Sequence, residues 1–168
     1  METFLQIKPF QETLYAGMCG PASLKMVLAY YRVEKSESEL AQLTHTDADL
    51  GTTAQELARI AGYFGFQSEI REYCELSDIE LWLEKGVPVI VDWFTRGRDD
   101  YSDDIASADG HYSVVCGIND THIFLQDPEI GGVRKMQREV FRRVWFDFSG
   151  ECIHPDELII RQLVAIYK

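Results

Sequence analysis

Several absences narrow the chemistry before any motif is read. The four cysteines, Cys19, Cys74, Cys116 and Cys152, are widely separated and form no C-x-x-C pair. The four histidines, His45, His111, His122 and His154, show no zinc-ligand spacing with them, so a structural metal site is not expected. Residues Met1 to Pro9 lack the basic region and long apolar stretch of a secretory signal, and no run approaches membrane-spanning length. A cytoplasmic chain with reduced thiols is the expectation, not a disulfide framework. Positive charge is scarce as well: 16 Lys and Arg stand against 28 Asp and Glu, for a net charge of −12. A surface this acidic repels phosphate backbones and anionic headgroups, which speaks against nucleic acid and membranes as partners. It favours a peptide or protein partner with basic residues. Internal repeats, low-complexity segments and linkers are missing too, so the 168 residues are expected to form one domain.

What is present divides by character at about residue 86. Upstream, helix signals crowd together. Gly17-Met18-Cys19-Gly20-Pro21 opens an almost wholly apolar run to Tyr31, with Pro21 suited to a first turn. Ser36-Glu37-Ser38-Glu39 opens a short helix to about Leu43, and Thr53-Ala54-Gln55-Glu56 opens one ending near Gly65. Ser77-Asp78-Ile79-Glu80 reads as a third capping box, for a helix ending at Lys85-Gly86. Short strands are expected over 3–8 and 66–73. Downstream, strands dominate: 87–94, then 111–118 turning at Asn119-Asp120 into 121–126, and a last strand over 158–167. A short helix is expected at about 137–145. Helices over 1–86 and strands over 87–168 argue for an α+β fold with an antiparallel sheet.

Three residues could carry chemistry together. Cys19 on the first turn of a helix meets the positive end of the dipole and the free N–H groups there, which favours thiolate, the nucleophilic form. A cysteine is also a common core residue, so partners must decide. His111 follows Gly110 at the start of an apolar strand, after a long polar loop, where a side chain can be held rigidly and still face a cleft. Antiparallel pairing about Asn119-Asp120 brings Asp127 to the His111 end, where its carboxylate could orient the imidazole. As an Asp-Pro pair it could equally be a turn former. Asp99, Asp100, Asp103 and Asp104 precede His111 and could rim the cleft as a site for basic substrate residues, or form a solvated loop. Their order is not that of an EF-hand calcium loop. Trp93 is either a pocket wall or a core aromatic.

Taken in order, Cys19-Gly20-Pro21-Ala22-Ser23-Leu24, Gly110-His111-Tyr112-Ser113-Val114-Val115 and Asp127-Pro128 followed by Gly131 resemble the papain-like cysteine peptidases of the double-glycine leader type, which process bacteriocin precursors, and their free-standing relatives. The likeness spans roughly residues 11–135. It implies a papain-like fold, with the Cys19 helix of a helical half packed on the sheet. It also implies Cys19 as nucleophile, His111 as general base and then acid, and Asp127 as the orienting group, a mechanism that requires no metal or organic cofactor. Gln11, eight residues before the cysteine where the family has six, becomes the candidate oxyanion-hole donor beside the Cys19 N–H. The same three residues would serve a glutamine deamidase or acyl transferase, or survive in a non-catalytic peptide-binding domain.

Overall fold

The computed structural model describes residues 2–95, 109–148 and 155–168. In chain order these form strand β1 (Thr3–Phe4) and helices α1 (Cys19–Tyr30), α2 (Glu37–Leu43) and α3 (Ala54–Tyr63). Strand β2 (Gln67–Arg71), helix α4 (Leu76–Glu84) and strands β3 (Val89–Thr95), β4 (Asp109–Ile118), β5 (His122–Asp127) and β6 (Gly132–Gln137) follow. Helix α5 (Arg138–Val144), strand β7 (Phe146–Phe148), a 3-10 turn over Pro155–Glu157 and strands β8 (Leu158–Ile160) and β9 (Leu163–Tyr167) complete the chain.

The sheet runs β2-β9-β3-β4-β5-β6, every neighbour antiparallel, with β1 paired to the far end of β4. This is the expected α+β architecture, but the helices do not all share a side. On one face α1 and α3 bury Leu24, Leu28, Leu57 and Ile60 against Ile90, Val114, Cys116 and Val164. On the other, α4 and α5 bury Ile79, Leu83, Phe141 and Trp145 against Val89, Val91, Val115 and Leu163. Covered on both sides, β3 and β9 read as unbroken apolar runs, because alternate residues enter different cores. The separation into helical and strand halves is therefore approximate: α4 crosses to the far face and β2 joins the sheet.

Caps explain most helix starts. Ser36 accepts from Glu39 N at 3.1 Å, and Thr53 accepts from Glu56 N at 3.3 Å. The third box begins two residues earlier than its sequence pattern suggests. Glu75 is the N-cap of α4, reciprocated by Asp78, and Ser77 lies inside the helix. The turn at Asn119 is closed by the Asn119 side chain, which accepts from Thr121 N at 3.0 Å and His122 N at 2.8 Å. Two strands escape the sequence patterns, β6 and β7. The strand expected over 158–167 is two, because Arg161 takes a left-handed φ of 47° between β8 and β9. Strand β8 pairs with β7 in a small separate sheet. The Asp99–Asp104 loop, Cys152 and His154 lie outside the described residues. No helix of the described residues is long and apolar enough to cross a membrane.

Leu24 is fully buried, whereas Leu81 on the outer face of α4 is 55% exposed. Leu24→Ala is expected to cost about 3 kcal/mol in urea unfolding, and Leu81→Ala less than about 0.5 kcal/mol.

Candidate active site

The site begins with how α1 starts. Met18 is its N-cap and supplies no side-chain cap, so the first-turn N–H groups and the positive end of the helix dipole are turned to Cys19. Gly17 makes that entry possible. Its φ of 64° is left-handed, and a Cβ there would stand 2.5 Å from the Asp47 carbonyl oxygen. The segment before it is tied down at several points. Thr13 donates through N and Oγ1 to the Glu37 carboxylate, at 2.9 and 2.7 Å. Glu12 N donates to the Pro128 carbonyl at 2.9 Å, and the Gln11 amide donates to the Glu129 carbonyl at 3.2 Å.

His111 stands near the start of β4, 5% exposed, and its Nε2 donates to Asp127 Oδ1 at 2.6 Å. Its other ring nitrogen is left for the thiol, and Cys19 stands close enough to act on the ring electrostatically. Asp127 ends β5 and is 1% exposed. Burial of so polar a group is tolerated because donors surround it. Besides His111, Glu129 N donates to Oδ1 at 3.0 Å and Arg134 Nε donates to Oδ2 at 2.6 Å. Trp93 walls the dyad from behind, its ring edge-on to the imidazole with centroids 5.8 Å apart. The Arg134 guanidinium lies over the same indole at 5.6 Å. At 2% exposure, with Nε1 donating to Ser113 Oγ at 3.0 Å, Trp93 is a core aromatic that fixes the imidazole.

Charge in this cluster favours an ion pair. Burial works against protonating His111, but the Asp127 hydrogen bond, the Cys19 contact and the negative charge of both hold the imidazole well above its ordinary range. For Asp127, burial is likewise outweighed, by the His111 bond and charge and by Arg134, and its carboxyl is held below the ordinary range. The other described thiols differ: burial pushes Cys74 and Cys116 each up to about 11. Sequence reasoning missed Arg134, since an arginine on a half-exposed strand carries no mark of its buried partner. It also missed Glu12, whose Oε2 is buried without a hydrogen-bond partner. Burial pushes Glu12 up to about 7; Glu129, Asp127 and Glu37 add to that rise, and His111 opposes it. His111, Asp127 and Glu129 present ligand atoms within 4.8 Å of one another, but Arg134 already supplies positive charge there, 3.7 Å from Glu129 as well.

A buried His–Asp pair at the end of an antiparallel sheet, facing a cysteine at a helix N-terminus, is the arrangement of papain-like folds. Solved structures share the fold. The peptidase domain of Streptococcus ComA superposes with a TM-score of 0.69 at 22% identity, covering 96% of this chain and 98% of that one. A C39-like peptidase from Bacillus anthracis gives 0.70 at 15% identity, covering 100% and 98%. A double-glycine motif protease, solved with its leader peptide, gives 0.64 at 20% identity, covering 100% and 99%. The sequence profile of the Peptidase C39 family matches residues 16–151, and the chain belongs to that family. A protein of Methanothermobacter marburgensis, itself uncharacterised, is 32% identical over 154 residues, covering 91% of this chain and 92% of that one. The lactococcin-G-processing and transport ATP-binding protein LagD of Lactococcus lactis is 28% identical over 137 residues. Those residues are 82% of this chain but only 17% of LagD.

Two outcomes test this electrostatic account. Arg134→Met leaves the buried Asp127 carboxylate short of a partner and is expected to cost about 3 kcal/mol in urea unfolding. Glu12 has a folded-state value above its unfolded one, so its protonation stabilises the fold below about pH 4.5, and that contribution is lost as pH rises to about 7. Glu12→Gln is therefore expected to raise the melting temperature relative to wild type at pH 8 and to leave it nearly unchanged at pH 4, in paired thermal scans.

Proposed function

We propose that the chain is a cysteine peptidase that cleaves a peptide or protein amide through Cys19, His111 and Asp127. The observation that carries the reading is an imidazole locked 2.6 Å from a buried carboxylate, with the Cys19 thiol, at the start of its helix, acting on the same ring. Such a thiol gives up its proton to the ring, and the resulting imidazolium is stabilised by Asp127. Thiolate sulfur attacks the amide carbonyl carbon. The tetrahedral oxyanion collapses as His111 passes its proton to the departing nitrogen, leaving an acyl thioester on Cys19. Water, losing a proton to His111, attacks the thioester carbonyl; the acid product leaves and the thiolate–imidazolium pair returns.

The helix N-terminus suits the oxyanion, since the Cys19 N–H belongs to the uncapped first turn. Gln11 is the proposed second donor. At rest its exposed amide sits on the Glu129 carbonyl, on the turn that follows Asp127. Peptide substrates fit the relatives: one structural neighbour was solved with a leader peptide.

At pH 7 iodoacetamide is expected to alkylate Cys19 at least a hundredfold faster than Cys74 or Cys116, whose buried thiols hold their protons. His111→Ala should erase most of that difference. Comparable rates at all three thiols would overturn the nucleophile assignment. Gln11→Ala should lower kcat by about a hundredfold while the alkylation rate of Cys19 stays unchanged. Products of a peptide library identified by mass separate cleavage from a gain of about one dalton on glutamine, the mark of a deamidase.

A further inference from the structure

No step of the proposed chemistry uses Arg134, yet it is 4% exposed on a strand whose adjacent side chains, Val133 and Lys135, face solvent. In the β5–β6 register Arg134 stands opposite Leu125, and Asp127 opposite Gly132. That makes Arg134 and Asp127 diagonal neighbours, a separation that a long side chain spans. Its Nε donates to Asp127 Oδ2 at 2.6 Å, its Nη2 lies 3.7 Å from Glu129 Oε2, and its guanidinium covers the Trp93 indole. Trp93 in turn meets His111 edge-on. One side chain thus touches the carboxylate of the dyad, the acid two residues on, and the ring that walls the imidazole.

The charges around His111 show what this arginine supplies. Cys19 faces it from α1, Glu12 from the segment before α1, Asp92 from β3 and Asp147 from β7. Asp127 and Glu129 face it from the end of β5 and the turn that follows. All are acids. Burial pushes Glu12 up to about 7 and holds Asp92 well above, and Asp147 above, the ordinary carboxyl range, which favours their neutral forms. Asp127 is 1% exposed and would follow them if desolvation alone decided. His111 cannot prevent this unaided, because its own charge in a buried place depends on Asp127: each ion needs the other. A guanidinium stays charged across the working range of pH and breaks that circle.

We propose that Arg134 is a positioning residue of the active site, fixing Asp127 as a carboxylate so that His111 rests as the imidazolium with which a Cys19 thiolate pairs. The proposal rests on the peptidase reading and adds to it a fourth residue on which the nucleophile depends.

Arg134→Gln keeps a hydrogen-bond donor and removes the charge, whereas Arg134→Lys keeps both. His111 is titrated by NMR of its ring, assigned by the signal lost in His111→Ala, and Cys19 by its iodoacetamide rate against pH. In Arg134→Gln the imidazolium should be lost about one pH unit or more below wild type. Alkylation of Cys19 should fall about tenfold or more at pH 6 and return to within about threefold of wild type at pH 9, the profile of a free thiol with a pKa of about 8.5. Arg134→Lys should restore both readings. An Arg134→Gln protein with the wild-type His111 titration, or an Arg134→Lys protein displaced as far as Arg134→Gln, overturns the proposal. If Arg134→Gln does not fold, the same change is made on Asp127→Asn, which leaves no buried carboxylate unpaired. There it should alter the alkylation profile by less than about twofold, since its target is gone, and a further loss overturns the proposal. A peptide library left uncleaved would end the peptidase reading, and the His111 titration would still decide the role of Arg134.

Discussion

Everything at the site depends on keeping one carboxylate charged where water does not reach. Asp127 is held by an imidazole on one oxygen and a guanidinium on the other, and without both partners its burial would drive it to take up a proton. Arg134 comes from β6, His111 from β4 and Asp127 from the strand between them. The charge is thus neutralised sideways across three neighbouring strands. Its consequences run outward. A charged Asp127 holds the imidazole protonated and fixed in orientation; the imidazolium in turn faces the thiol; and Trp93, packed against both His111 and Arg134, prevents either cation from swinging away.

The three residues named from the sequence as chemical candidates are brought together, and their separation along the chain shows why they could be found. Cys19 announces itself by glycines and a proline at a helix start. His111 and Asp127 are linked by a hairpin whose turn residues, Asn119-Asp120, are explicit. Local rules and one antiparallel pairing suffice for these. Arg134 and Glu12 were illegible for the opposite reason. Each looks like an ordinary surface charge, and only tertiary packing turns one into a carboxylate's partner and leaves the other half-buried beside the dyad. Trp93 could not be assigned between pocket and core until its exposure was known.

The fold was legible to a similar depth. Capping boxes at Ser36 and Thr53 placed two helices by their own hydrogen bonds, and the β-branched run at Val87–Val91 marked the centre of the sheet. Strand β6, Gly-Val-Arg-Lys-Met-Gln, hid because its polar residues outnumber its apolar ones, and it gains its pairing from β5 rather than from its own propensity. The break at Arg161 was hidden too, since a left-handed arginine has no signature in a β-branched run.

The ties that hold the segment before Cys19 reach almost the full length of the chain. Gln126 Nε2 donates to the Ile7 carbonyl across 119 residues, and Gln11 reaches Glu129 across 118. Contacts of such separation close late, after the loop entropy between them has been overcome. The cysteine and the histidine therefore become neighbours only when the first residues of the chain have docked on the turn after β5. A nascent or partly unfolded chain carries a cysteine and a histidine but no pair, so their juxtaposition is a property of the finished molecule, set by its topology.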